Sequence, residues 1–162
     1  MSFWQGLKGV LTRPTADWYA DKLAFIGLNV NGDANHSYGF LWNDSQPAVN
    51  FFVYKLTISS ANQNDLYQGF PISTKSGTQQ QHAYPVMLNA GTPPGHTYTV
   101  GGLSPNVAND CPMLIAEQLQ LDPIILDAAF PMVIIPPNMG FAISPSGGGG
   151  INWFASFWYV WK

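Results

Sequence analysis

The chain has 162 residues, a length that suits one domain, and only 9% of them are charged, against about 25% in an ordinary soluble domain. A net charge of −3 and six scattered basic residues exclude the clustered Lys and Arg by which nucleic-acid binders neutralise phosphates. No apolar run reaches the roughly 18 residues of a membrane span, and residues 1–14 lack the continuous apolar core of a signal peptide.

The first 22 residues differ from the rest, because their apolar residues follow no strand alternation and Arg13-Pro14 interrupts them. We expect residues 1–22 to form an N-terminal arm, followed by a β-sandwich domain over residues 23–162. An apolar arm that does not reach the core would dock on a partner protein, and the alternative is that it packs on its own domain. The predicted docking side chains of the arm are Phe3, Trp4, Leu7, Val10 and Leu11.

Beyond the arm, short apolar segments alternate with turns rich in Gly, Pro and Asn. No segment of useful length has helical periodicity. This pattern predicts an all-β fold, a jelly-roll-like antiparallel β-sandwich with an N-terminal arm. The predicted strands are Leu23–Val30, Tyr38–Trp42, Val49–Ser59, Leu66–Ser73, Ala83–Leu88, Tyr98–Gly101, Met113–Leu121, Met132–Ile135, Phe141–Ser144 and Trp153–Trp161.

The long third strand, Val49–Ser59, is predicted to have one apolar and one mixed face, because side chains alternate along a strand. Strict alternation assigns Phe52, Tyr54, Leu56 and Ile58 to the apolar side. It assigns Phe51, Val53, Lys55 and Thr57 to the other side, half of which is predicted to be buried and half exposed to solvent.

The last strand is apolar on both sides, whereas a half-solvated strand alternates apolar with polar residues. Trp153, Phe157, Tyr159 and Trp161 point one way, and Phe154, Trp158 and Val160 point the other. The core can cover one face, and another subunit is the natural cover for the second. The sparse charge supports the same prediction, although amides and hydroxyls could also keep a neutral surface soluble. The residues predicted to form an oligomer interface or the core are Phe51, Val53, Trp153, Phe154, Phe157, Trp158, Tyr159 and Trp161.

The sequence predicts neither catalytic machinery nor a bound cofactor or metal. His36, His82 and His96 are isolated, with no Cys, Asp or Glu at the spacing of a metal site. Cys111 is the only cysteine and is expected to be a buried thiol. Asp122 and Asp127 flank an apolar run and are expected to cap turns. We therefore predict that the protein is not an enzyme.

A sugar-binding module is the main alternative, because exposed aromatic rings beside amides stack on glycans. Trp42 and Tyr67 are the candidate stacking residues, and a loop at Gln79–His82 could add hydrogen bonds. The competing interpretation places these aromatic rings in the core or in a subunit contact, and we favour it.

Two segments resemble tailed-bacteriophage virion surface proteins of the jelly-roll type. Residues Phe40–Ile58 are similar to a stretch in which a turn of leucine, any residue and asparagine leads into a long strand. Residues Ala129–Ile143, which contain Pro136-Pro137-Asn138-Met139-Gly140 and precede the aromatic terminal strand, are similar to the closing hairpin of head-decoration proteins.

The resemblance implies a jelly roll, assembly into a homotrimer and a place on the outside of a virion assembled in the host cytoplasm. A capsid decoration or cement protein would bind the major capsid protein or another virion protein and bridge capsid subunits against the pressure of packaged DNA. A tail, collar or adsorption module that binds a glycan or host receptor would share the fold. No contact with nucleic acid or membrane is expected.

Overall fold

A computed structural model describes residues 22–31, 38–60, 66–86, 91–100, 113–117, 123–145 and 152–162, with only the backbone of residue 66 and of residues 113–117. The arm residues before residue 22 lie outside these ranges. No helix in these ranges is long and apolar enough to cross a membrane. The strands are β1 Leu23–Val30, β2 Tyr38–Trp42, β3 Phe51–Ser60, β4 Leu66–Ile72, β5 Thr78–His82, β6 Tyr84–Pro85, β7 His96–Val100, β8 Met113–Glu117, β9 Ile124–Asp127, β10 Val133–Ile135, β11 Gly140–Pro145 and β12 Trp153–Trp161.

The strands form two antiparallel sheets. The first sheet has the order β10-β3-β12-β1-β6, and β9 pairs with β3 on the same edge as β10. The second sheet has the order β5-β7-β2-β11-β4-β8. The two sheets pack face to face, and most of the buried apolar side chains lie between them.

The pairing proceeds from both ends of the chain inward. Strand β1 pairs with β12, β2 with β11, β3 with β9 and β10, and β4 with β8. A long antiparallel hairpin rolled into two sheets in this order is a jelly roll. The segment β5–β7 is inserted between β4 and β8 and extends the sheets beside β1 and β2. The predicted all-β sandwich is therefore confirmed.

The core between the sheets follows the two-residue period of the strands. On β1, Ala24, Ile26, Leu28 and Val30 all point inward and are buried. The sheets approach closely at Gly39 of β2, where an added Cβ would lie 2.6 Å from a methyl carbon of Leu28. A side chain at Gly39 would therefore push the sheets apart.

Strand β3 departs from the alternation that the sequence predicted. Trp158 of β12 pairs with Lys55, but the next residue, Tyr159, pairs with Val53, so Tyr54 is the extra residue of a β-bulge. One inserted residue reverses every side chain beyond it. The predicted apolar face is therefore correct for Leu56 and Ile58, after Tyr54, and reversed for the residues before Tyr54. Four residues face the core, namely Phe51, Val53, Leu56 and Ile58. Three residues face outward, namely Phe52, Lys55 and Thr57.

A second apolar cluster lies on the far side of the second sheet. Phe40 and Trp42 point away from the first sheet, because they alternate with the inward Leu41 on β2. The Phe40 ring stacks on Tyr98 at a centroid distance of 5.2 Å, and Lys75 Nζ lies 5.5 Å from the Tyr98 centroid. Both faces of the second sheet are thus apolar.

Candidate functional site

The outer face of the first sheet carries most of the exposed apolar surface. Of the seven large hydrophobic side chains that are exposed within the described ranges, five lie on this face. Each of the five is assigned to the face by its pairing with an outward residue of a neighbouring strand. They are Phe25, Tyr84, Ile125, Ile134 and Phe154. An antiparallel sheet with one solvated face normally presents polar side chains there. The apolar side chains on this face therefore suit contact with another molecule.

A row of directly paired residues crosses this face from edge to edge. The Phe25 ring stacks on Tyr84 at a centroid distance of 5.7 Å and on Trp158 at 5.2 Å. On the other side of Trp158, Lys55 Nζ lies 5.8 Å from the indole centroid, within range of a cation–π contact. In the strand register, Lys55 lies opposite Asp127 of β9. We call this row the outer ladder; its members, in order, are Tyr84, Phe25, Trp158, Lys55 and Asp127.

The rings of the outer ladder cover one another. The planes of Phe25 and its two neighbours lie within 27° of parallel, so Phe25 is covered on both sides. Trp158 lies between Phe25 and the ammonium group of Lys55. Sugar stacking needs open ring faces, whereas both faces of Phe25 and of Trp158 are covered by neighbours in the ladder. Ring edges and aliphatic side chains suit contact with another protein surface.

A second apolar row runs beside the outer ladder. Val160 of β12 lies between Leu23 of β1 and Phe52 of β3, and Ile134 of β10 completes the row. Lys162 Nζ lies 5.0 Å from the Phe52 centroid, which repeats the arrangement of Lys55 over Trp158. Two adjacent rows thus make the outer face apolar in its middle, with ammonium groups packed on its aromatic rings.

Two of the residues predicted to form an interface or the core lie on the outer face, and the others lie in the core or at its margin. Phe154 is exposed on the outer face and Trp158 is half-buried there, while Trp161 packs at the margin of the core. The remaining predicted residues lie in the core of one copy: Phe51, Val53, Trp153, Phe157 and Tyr159. The arm residues Phe3, Trp4, Leu7, Val10 and Leu11 lie outside the described residues.

Both candidate glycan-stacking residues are buried, so their assignment to a sugar site is wrong and the favoured alternative, a place in the core, is correct. Trp42 is 5% exposed within the second apolar cluster, and Tyr67 is 0% exposed in the main core. Each lies on a central part of the sandwich, where neighbouring strands and side chains cover the ring. Neither ring can therefore stack on a sugar. The glutamines at 79–81 do not form a loop; they belong to the exposed edge strand β5.

The histidines at 82 and 96 are not isolated. They pair across β5 and β7, and their rings pack edge to face with centroids 4.2 Å apart. His96 Nδ1 also lies 2.6 Å from Asp44 Oδ2, a hydrogen bond that ties β7 to the turn after β2. His36 lies outside the described residues. Within the described ranges, no three His, Cys, Asp or Glu side chains come together as metal ligands.

Asn43 organises the same turn. Its buried side-chain amide donates to the carbonyls of Val49 at 2.7 Å and Ile135 at 2.8 Å, while its Oδ1 accepts from the Ser45 backbone N–H. Nearby, the Tyr159 hydroxyl donates to the carbonyl of Pro94. Burial raises the pKa of the Tyr159 phenol, and the Asp44 carboxylate raises it further. The phenol therefore stays protonated as a structural donor.

Sequence reasoning missed four members of the outer ladder, Phe25, Tyr84, Lys55 and Asp127. The signal for Phe25 is present in β1, because Leu23 and Phe25 make its outward side apolar as well. Tyr84 lies on a two-residue strand and Lys55 beside a bulge, so their places depend on register.

Comparison of the chain with models of known families, with curated proteins and with solved structures gives no match. A jelly roll hosts many unrelated functions, so the fold alone assigns none. The functional interpretation therefore depends on the outer face of the first sheet.

Proposed function

We propose that the protein is a non-enzymatic virion structural protein, a capsid decoration or cement protein that stabilises the particle by bridging capsid subunits. In this role it is a homo-oligomer on the virion surface, and its partner is the major capsid protein or another virion protein. The proposal combines the resemblance of residues 40–58 and 129–143 to jelly-roll virion proteins with the apolar outer face of the first sheet.

One observation carries the proposal: the outer ladder contains three aromatic rings, is partly exposed and crosses five strands of a six-stranded sheet. Side chains on paired strands hold their positions through the backbone ladder and through their own stacking. Such a surface loses little side-chain entropy when another protein covers it. A cement protein needs this property, because it has to add stable contacts and makes or breaks no covalent bond.

The stabilising effect would be mechanical. Packaged DNA pushes capsid subunits apart, and a protein that binds across a seam has to be detached before the seam opens. Apolar burial contributes roughly 25 cal/mol per Å² of covered surface, before the costs of association. The apolar arm, with Phe3 and Trp4, is the proposed contact to the particle, and the outer face is the proposed contact to a neighbouring protein.

The glycan-binding alternative receives less support. Its two candidate rings are buried, and in the outer ladder both faces of Phe25 and of Trp158 are covered by neighbouring side chains. The exposed glutamines of β5 could hydrogen-bond to a sugar, and the exposed Phe154 ring lies near Gln81 over Gly27, but this is one ring beside one amide.

A co-sedimentation assay tests the proposal. Purified chain mixed with virions of the encoding phage should pellet with the particles and raise the temperature at which they release DNA. Deletion of residues 1–14 should weaken pelleting while the melting temperature stays near that of the full chain. A full chain that stays in the supernatant and leaves DNA release unchanged would exclude the cement role. A truncated chain that melts far lower would place the arm in the domain's own core.

A further inference from the structure

We infer that the outer face of the first sheet is a twofold contact, in which the outer ladder of one copy packs on the same ladder of a second copy. This inference rests on the order of residues along the ladder and holds whether or not the protein belongs to a virion. It differs from the trimer that the resemblance implies, because face-to-face contact of one patch with itself produces a dimer.

The ladder is complementary to itself when it is reversed. Trp158 occupies its middle position, with two aromatic rings on one side and two charged residues on the other. A twofold axis that lies between the two faces, parallel to β12 at Trp158, places Phe25 opposite Lys55 of the second copy. It also places Tyr84 opposite Asp127 of the second copy.

Each of these opposed pairs is chemically favourable. An ammonium group near an aromatic ring makes a cation–π contact, so Lys55 can contact Phe25 of the second copy in addition to its own Trp158. A phenolic hydroxyl donates a hydrogen bond, and a carboxylate accepts several, so Tyr84 can donate to Asp127 of the second copy. The two Trp158 rings meet at the axis. No like charges are opposed along the ladder.

The size of the face also fits a second copy. The six strands of the first sheet contain 36 residues, so at about 3.4 Å per residue and 4.8 Å between strands the face covers about 600 Å². Stable specific interfaces bury from about 600 Å² upward on each partner. Two such faces can also pack at the roughly 10 Å spacing of stacked sheets, as the two sheets of one copy do.

Light scattering and analytical ultracentrifugation of the purified full chain provide the first measurement. The expected mass is twice 17.7 kDa, falling toward 17.7 kDa on dilution.

Phe25→Lys opposes two ammonium groups across the axis and should raise the dissociation constant by about 30-fold or more, the effect of losing one hot-spot residue. Thr78→Lys is the control, because Thr78 is exposed on β5 at the edge of the second sheet, and it should leave the mass unchanged.

Cross-linking tests the symmetry in a Cys111→Ser background. A thiol cross-linker about 10 Å long should join Tyr84→Cys chains to Asp127→Cys chains in a mixture, and it should join neither variant to itself. Melting curves establish that each variant is folded. A 17.7 kDa species at every concentration, a trimer that persists in Phe25→Lys, or equal cross-linking of Tyr84→Cys to itself would overturn the inference. Particle binding is measured separately, so failure here leaves the cement role to its own assay.

Discussion

At the scale of single residues, the two faces of β12 allow a direct comparison of neighbours. Phe157 is fully buried in the core, and its replacement by Ala should cost about 3–5 kcal/mol of unfolding free energy. Trp158 is half-buried on the outer face, and Trp158→Ala should cost the monomer only about 1–2 kcal/mol, the sum of one aromatic stack and one cation–π contact. Denaturant unfolding at low protein concentration measures both values. Equal losses would mean that Trp158 belongs to the core.

A second residue-scale prediction concerns Asn43. Its side chain satisfies the carbonyls of Val49 and Ile135 and the N–H of Ser45, all in or beside the core. Asn43→Ala leaves these groups without that partner, and we expect a loss of about 3 kcal/mol, because each buried unsatisfied group costs about 1–3 kcal/mol. Ser59→Ala, at an exposed position on β3, is the control and should be nearly neutral. An unchanged melting temperature for Asn43→Ala would contradict this assignment.

At the scale of elements, the bulge in β3 predicts which deletions the fold tolerates. Removing Tyr54 restores regular pairing and leaves Val53 and Leu56 inward and Lys55 outward. Removing Thr57 instead reverses every side chain on one side of the deletion relative to the other, and a one-residue shift of this kind exposes the core face. We therefore expect the Tyr54 deletion to fold with a moderate loss of stability and the Thr57 deletion to fail to fold. Circular dichroism and solubility distinguish the two outcomes, and the reverse order would show that Tyr54 is not the inserted residue.

The elements also show what the sequence could predict. Strands β1, β2 and β12 have the predicted bounds, because apolar residues and flanking turn residues mark them clearly. Strand β5 was not predicted, since Thr78–His82 is polar on both sides and is held by its pairing and polar side-chain contacts with β7. Strand β9 was not predicted either, because its four residues lack alternation and end at Asp127. Local pattern contains no information on pairing partners, so the outer ladder, which five strands build together, could not be predicted.

At the scale of the whole molecule, the sequence predicted an assembly component from the two-sided terminal strand and the sparse charge. The structure assigns the inner side of that strand to the core and leaves Phe154 and Trp158 on the outer face. The same sheet therefore combines a buried face that stabilises the domain with a second apolar face that we propose for contact with another protein. The function of the protein therefore depends on what covers that second face.

A reconstruction of the virion with the chain bound tests this central claim most directly. We predict density for the sandwich on the outside of the capsid across a seam between subunits, with Phe25, Tyr84 and Trp158 buried against protein. Particles without such density, or a bound sandwich with these three side chains open to solvent, would contradict the account.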